Sequence, residues 1–182
     1  MRNLIRGLFG LSLLLPVTAF SAPSQTWVRT QNFLATDSGY GSAVDTLGNV
    51  IVLGVRATSN LNNPNEDWVL FKYSPAGTLL WSRVIAGAAA RDDEPGWMVV
   101  DKSNNVWVVG SVVGAAAVGR EAVLYKYSPA GAVLFVKRHN GTRPAGDDRY
   151  YGIALDSAGN AIVTGETSST TTGIDALIQK YS

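Results

Sequence analysis

The sequence predicts an all-β protein made of three copies of one antiparallel unit, and three observations carry that prediction. Lys72-Tyr73-Ser74, Lys126-Tyr127-Ser128 and Lys180-Tyr181-Ser182 recur at intervals of 54 residues. Asp45, Asp101 and Asp156 recur at intervals of 56 and 55, each followed by a turn and an apolar run. Those runs, Val50-Ile51-Val52-Leu53-Gly54, Val106-Trp107-Val108-Val109-Gly110 and Ala161-Ile162-Val163-Thr164-Gly165, are rich in β-branched and aromatic residues, which favour strands. Self-similarity at a fixed period of this size marks units that stack on one another because none can bury its apolar face alone.

Each unit reads as four short strands. The first covers Gly41–Val44, Trp97–Val100 or Gly152–Leu155. The second is the run after Asn49, Asn105 or Asn160. It is nearly continuously apolar rather than alternating, so both of its faces should be buried, as in sheets stacked face to face. The third starts at Asp67, Glu121 or Asp175 and ends at Lys-Tyr-Ser. The fourth is Leu79–Val84 or Val133–Lys137. Between the second strand and the acidic start of the third lie 12, 10 and 9 residues (55–66, 111–120 and 166–174). Length changes of this kind belong to surface loops, so these three are the best contact candidates.

The turns have identifiable causes. Ser74-Pro75-Ala76-Gly77 and Ser128-Pro129-Ala130-Gly131 place proline at the second position of a type I turn, and a glycine follows where a left-handed residue makes a bulge. The hairpin before the second strand carries Gly48, Asn104 and Gly159 at one position. Asparagine replaces glycine best at positive φ, so this exchange within one chain predicts a left-handed residue there.

These residues resemble the bacterial β-propeller repeat family often called SBBP repeats. The correspondence runs through Asp45, Gly48-Asn49, Gly54, Asp67, Lys72-Tyr73, Gly77 and Trp81, and it covers residues 26 to 182. The second unit departs from it at Trp97, where the others carry Gly41 and Gly152, and at Phe135 in place of the tryptophan. The resemblance implies a β-propeller of three four-stranded antiparallel blades in an exported protein, with no common catalytic residues to transfer. The units are about 37–92, 93–147 and 148–182. The third unit lacks a fourth strand, and residues 25–30 (Gln25-Thr26-Trp27-Val28-Arg29-Thr30) resemble Leu80-Trp81-Ser82-Arg83, so this N-terminal strand is expected to complete the last blade. Propellers usually have 4 to 8 blades. A bare blade face of roughly 350 Å² forgoes about 9 kcal/mol of apolar burial, so three blades imply either self-association into a six-bladed ring or a fragment of a longer propeller.

Residues 1–21 read as a secretory signal peptide: Arg2 and Arg6 lead a short apolar run, Leu8 to Val17, and Ala19-Phe20-Ser21 offers small residues before a cleavage point. The run is too short to span a bilayer, which needs about 20 residues. Residues 22–182 are then the repeat domain, secreted or periplasmic, with no transmembrane segment after cleavage. The chain holds no cysteine, so disulfides, thiolate chemistry and lipid-modified cysteine are excluded. A formal charge of +1 supplies no basic field for nucleic acid.

Candidate chemistry is sparse. Asp37, Asp93 and Asp148 recur just before each unit, within Asp92-Asp93-Glu94 and Asp147-Asp148 in the latter two. On a propeller they would share one face as pore-mouth carboxylates, a conceivable calcium site or the acids of a hydrolase or lyase. The competing reading is that they accept backbone N–H bonds in tight turns. His139, the one histidine, reads as an exposed loop residue without a catalytic partner, and a single histidine without cysteine argues against zinc. No Gly-x-Ser-x-Gly elbow is present. Lys72, Lys126 and Lys180 read as outward strand residues, and Trp68, Trp97 and Trp107 as core between blades. No cofactor is implied. The functional expectation is a non-enzymatic scaffold that binds a protein or glycan.

Overall fold

Asp45, Asp101 and Asp156 each start the same tight turn. One carboxylate oxygen of Asp45 accepts from the N–H groups of Leu47 and Asn49, both at 2.9 Å, and the other accepts from the Asn49 side chain at 2.8 Å. The pattern repeats at Asp101 with Ser103 and Asn105, and at Asp156 with Ala158 and Asn160. The position with the Gly/Asn exchange is left-handed in all three units: φ is 77° at Gly48, 63° at Asn104 and 84° at Gly159. Gly77 and Gly131, after the Pro-Ala turns, stand at 77° and 80°. The ladder shifts register between Lys72 and Tyr73 and between Lys126 and Tyr127, the bulge that such a turn makes.

The computed structural model describes residues 24–33, 37–58, 65–89, 91–114 and 119–182. The expected signal peptide, residues 1–21, lies outside them, as do 59–64 and 115–118 of two variable loops. Eleven strands form three antiparallel sheets. The first sheet is β1 (Ser38–Val44), β2 (Val50–Ala57), β3 (Glu66–Tyr73) and β4 (Leu79–Ile85). The second is β5 (Glu94–Val100), β6 (Val106–Val113), β7 (Arg120–Tyr127) and β8 (Val133–His139). The third has three strands, β9 (Arg149–Leu155), β10 (Ala161–Ser169) and β11 (Gly173–Tyr181). Within each sheet the strands lie in chain order. No helix occurs among the described residues, and none there is long and apolar enough to cross a membrane.

The first strands begin three residues earlier than expected. A bulge interrupts each: the register shifts between Gly39 and Gly41, between Pro95 and Met98, and opposite Thr164 and Gly165. The alternation legible in the sequence stops at the bulge, whereas the strand continues through it. The glycine ending each apolar run lies beside this irregularity. A β-carbon at Gly54, Gly110 or Gly165 would run into the carbonyl of Ser38, Glu94 or Arg149, so no other residue fits without moving the first strand.

The sheets pack face to face. One core joins Ile51, Leu53, Trp68 and Leu70 of the first sheet to Met98, Val108, Val123 and Tyr127 of the second. The other joins Trp107, Val109, Ala122 and Leu124 of the second to Tyr150, Ile153, Ala161 and Val163 of the third. Every residue of β6 is buried, because the middle sheet has a sheet packed on each of its faces. The first strands lie beside one another, β1 by β5 and β5 by β9.

Residues 24–33 form no strand, and the third sheet keeps three strands; the expectation that 25–30 would complete that sheet within one chain is corrected. The segment packs on the first sheet instead, with Trp27 and Phe33 against Val69, Phe71 and Tyr73.

Candidate functional site

The repeated aspartates are held by backbone. Asp37 accepts from the N–H groups of Phe33 (2.8 Å) and Ala57 (3.1 Å). Asp93 accepts from Gly87 (2.5 Å) and Val113 (2.7 Å). Asp148 accepts from Gly141 (3.0 Å) and Ser168 (2.8 Å), and from the Thr167 hydroxyl (2.7 Å). Each carboxylate therefore staples the loop before a first strand to the end of the second strand. Burial pushes the Asp93 carboxyl up, against the opposing pull of the Gly87 and Val113 donors. The neighbouring Asp92 and Asp147 work between sheets: they accept from the N–H groups of Glu66 (3.1 Å) and Arg120 (2.9 Å) in the preceding sheet. Held by fixed backbone donors, these groups serve as turn and sheet ties. No group of three or more metal-ligating side chains is assembled among the described residues.

Each lysine pairs with the aspartate of its own unit; Lys72 is buried and Lys126 largely covered rather than outward, whereas Lys180 keeps its expected exposed position. Lys72 Nζ lies 2.8 Å from the Asp45 carboxylate with both side chains buried, and it also donates to the Pro129 carbonyl at 3.2 Å. Lys126 and Lys180 repeat the pairing with Asp101 (3.5 Å) and Asp156 (2.7 Å). Burial raises the Asp45 carboxyl, but Lys72 and Asn49 outweigh it and hold the group at about 2. The lysine thus neutralises the aspartate that builds the turn, across the sheet from the third strand.

His139 closes β8 and is half-buried rather than exposed in a loop. Its Nε2 lies 2.9 Å from the Thr167 hydroxyl, and the Gln179 amide donates to Nδ1 at 3.1 Å. Thr167 gives its proton to Asp148, so the arrangement fits an Nε2–H imidazole donating to Thr167. The Gln179 carbonyl oxygen accepts from Tyr150 and from Tyr181. The bonds run in one direction, from Gln179 to His139 to Thr167 to Asp148, and occupy both imidazole nitrogens. At the junction between the first two sheets, Ile85 and Tyr125 hold the repeat positions of His139 and Gln179 and belong to an apolar core, so a polar network replaces apolar packing at this place.

The open edges of the first strands carry the chemistry that remains available. Trp97 was expected in the core and is instead 51% exposed, while Trp68 and Trp107 are buried. Tyr40 and Tyr151, one bulge position away in the flanking sheets, are 51% and 54% exposed. A bulge sets two residues opposite one and re-aims side chains; Tyr150 is thereby buried next to exposed Tyr151. The Trp97 ring reaches across to the first sheet, where a β-carbon on Gly41 would touch it at 3.9 Å. Beside this aromatic row lies a charged lattice. Arg149 bonds Glu94 (3.0 Å), Asp147 (2.7 Å) and Glu166 (2.7 Å), and Arg120 bonds Glu94 (3.0 Å). Burial would lower the Arg149 guanidinium, but Glu166, Asp147 and Glu94 hold it far above its ordinary value. Burial and the bond to Glu166 push the Tyr151 phenol up.

Aromatic faces stack on flat apolar surfaces, and a fixed set of carboxylates and guanidinium groups bonds hydroxyls. Of this site, sequence reasoning reached Trp97 and Glu94 but missed Tyr40, Tyr151, Arg120, Arg149 and Glu166. The available signal was their departure from the repeat: Arg149, Glu94 and Ser38 share one position, as do Glu166, Ser111 and Val55. Comparison with known proteins finds no family model that matches this chain and no curated protein significantly similar to it.

Proposed function

We propose that this chain is an exported, non-enzymatic binding protein of the β-propeller repeat type, and that its ligand is a glycan held along the first-strand edges. The row of exposed aromatics Tyr40, Trp97 and Tyr151 on three neighbouring edges carries this reading. Large apolar rings at half exposure beside fixed polar groups are the composition of a site that stacks on sugar rings and orients their hydroxyls. The blade reading is supported by the meander order of each sheet, the face-to-face cores and the convergence of first strands. Export rests on residues 1–21, and the resemblance to SBBP repeats rests on the repeated Asp, Gly-Asn and Lys-Tyr positions.

The test is an oligosaccharide array followed by tryptophan fluorescence titration. Wild type should bind at least one glycan class, and Trp97→Ala with Tyr151→Ala should weaken it at least tenfold while the circular dichroism spectrum is unchanged. Equal binding by the variant, or no binding by wild type at millimolar glycan, overturns the reading. N-terminal sequencing of protein recovered from the periplasm or medium should begin at Ala22; an intact Met1 overturns export.

A further inference from the structure

The two ends of the array are the two halves of an interface that the molecule already builds twice. At each internal junction, the trailing face of one sheet meets the leading face of the next. Leu70 and Leu124 stand on trailing faces and are fully buried. Ile178 stands at the same repeat position on the third sheet and is 73% exposed, with Ile174 beside it at 62%. The leading face of the first sheet shows Val52, Val69 and Phe71, the counterparts of Val108, Val123 and Tyr125 inside the array. Among the described residues, segment 24–33 roofs it, with Trp27 and Phe33 packed on its apolar residues and Arg29 and Gln31 beside them, over a cavity of about 210 Å³.

Residues 27–29 hold the place of a fourth strand that belongs to a sheet ahead of the first. The indole N–H of Trp27 donates to the Pro75 carbonyl at 3.1 Å, and Arg29 Nε donates to that of Gly77 at 2.7 Å. On β4, Trp81 and Arg83 make the same bonds to Pro129 and Gly131 in the following sheet, at 3.0 and 2.6 Å. Arg29 covers the Trp27 ring at 5.8 Å, and Arg83 covers that of Trp81 at 5.6 Å. So the leading end offers a fourth strand without its first three, and the trailing end offers three strands, β9 to β11, without the fourth.

We propose that a second copy of this chain fills both gaps: segment 24–33 of each copy pairs with β11 of the other, and the trailing face of one third sheet docks on the leading face of the other first sheet. The register follows from the internal pairs. Lys72 lies opposite Trp81, and Val69 opposite Val84, so Lys180 lies opposite Trp27 of the second copy, and Leu177 opposite its Thr30. A head-to-tail contact either closes or grows without limit. Two copies supply six sheets, within the usual range for a closed ring. The count of two rests on the propeller reading, whereas the contact itself does not.

Light scattering after size exclusion tests both parts. The chain from Ala22 onward should elute at twice the single-chain mass, and Ile178→Lys, a change at an exposed position, should return it to the single-chain mass with an unchanged circular dichroism spectrum. Thr30→Cys combined with Leu177→Cys, in a chain with no other cysteine, should form a disulfide between copies under mild oxidation. A single-chain mass for wild type, or a dimer indifferent to Ile178→Lys that fails to cross-link, overturns the proposal. A mass of three or more chains, lowered by Ile178→Lys, overturns the closed pair and the six-blade count alone.

Discussion

The ion pair of the first unit and that of the third are built from the same residues and live in different surroundings. Asp45 and Lys72 sit 2.8 Å apart with side chains 0% and 3% exposed; Asp156 and Lys180 sit 2.7 Å apart at 24% and 58%. Asp101 and Lys126 fall between, at 14% and 20%, where Lys126 also lies 4.1 Å from the centre of the Trp107 ring. Local sequence sets the pairing in all three cases. What decides its burial is the sheet packed over it: the first pair is sealed by the second sheet, and no sheet among the described residues covers the third pair. One motif is therefore a core element at one end and a surface contact at the other.

Breaking the pairs from the lysine side separates these two conditions most strongly. Lys72→Met leaves the Asp45 carboxylate buried without its cation and should cost about 3 kcal/mol, read as a shift of the urea midpoint. Lys180→Met removes a solvent-exposed partner and should leave the single-chain midpoint within error. Equal losses would mean that burial does not differentiate the ends.

Acid titration sharpens the same comparison with a smaller effect. Asp45 stands at about 2 in the fold against an ordinary 3.8. The unfolded chain therefore binds its proton first as pH falls. The stabilisation is complete above about pH 4 and drains away towards pH 2, amounting to about 2 kcal/mol. Urea midpoints between pH 5 and 2 should fall in wild type, and Asp45→Asn should flatten much of that slope. A slope unchanged by Asp45→Asn would show that other carboxylates dominate. Asp156 is also held low by Lys180 and Asn160, so a residual slope is expected.

The smallest effect concerns the middle turn. Asn104 meets the left-handed backbone that Gly48 and Gly159 meet by having no β-carbon. Its side-chain oxygen also accepts from the Thr46 N–H and hydroxyl, both at 2.9 Å, tying the first sheet to the second. Asn104→Gly keeps the backbone state and loses an exposed tie, so its cost should stay below about 1 kcal/mol. Asn104→Val should cost more, since a β-branched residue strains at positive φ; thermal melts of the pair give the order.

What the sequence made legible was whatever local chemistry dictates. The left-handed position showed itself because glycine and asparagine alternate there, and the Pro-Ala-Gly turns carried their own geometry. Two misreadings share a different origin. Lys72 looked like an outward strand residue because its partner, Asp45, lies a whole hairpin away, and nothing adjacent announces the pairing. Trp97 looked like core because a bulge, invisible in composition, changes which face it takes. The aromatic row and the Arg149 lattice escaped notice for the same reason: they exist only where three separate strands converge. The Asp93 and Asp148 staples were half legible, since a turn role was one of two readings that the residue type permits.

One consequence of the in-order sheets concerns how the chain acquires its shape. Every strand pairs with the strand made immediately before or after it, so each sheet closes through short connections that cost little loop entropy. Proteins dominated by such local pairings fold quickly for their stability. A chain emerging from a ribosome can thus zip one sheet at a time, and each finished sheet presents the template face for the next. The assembly has a direction, from the N-terminal sheet towards β11, and an unfinished chain is at every stage a shorter version of the finished one.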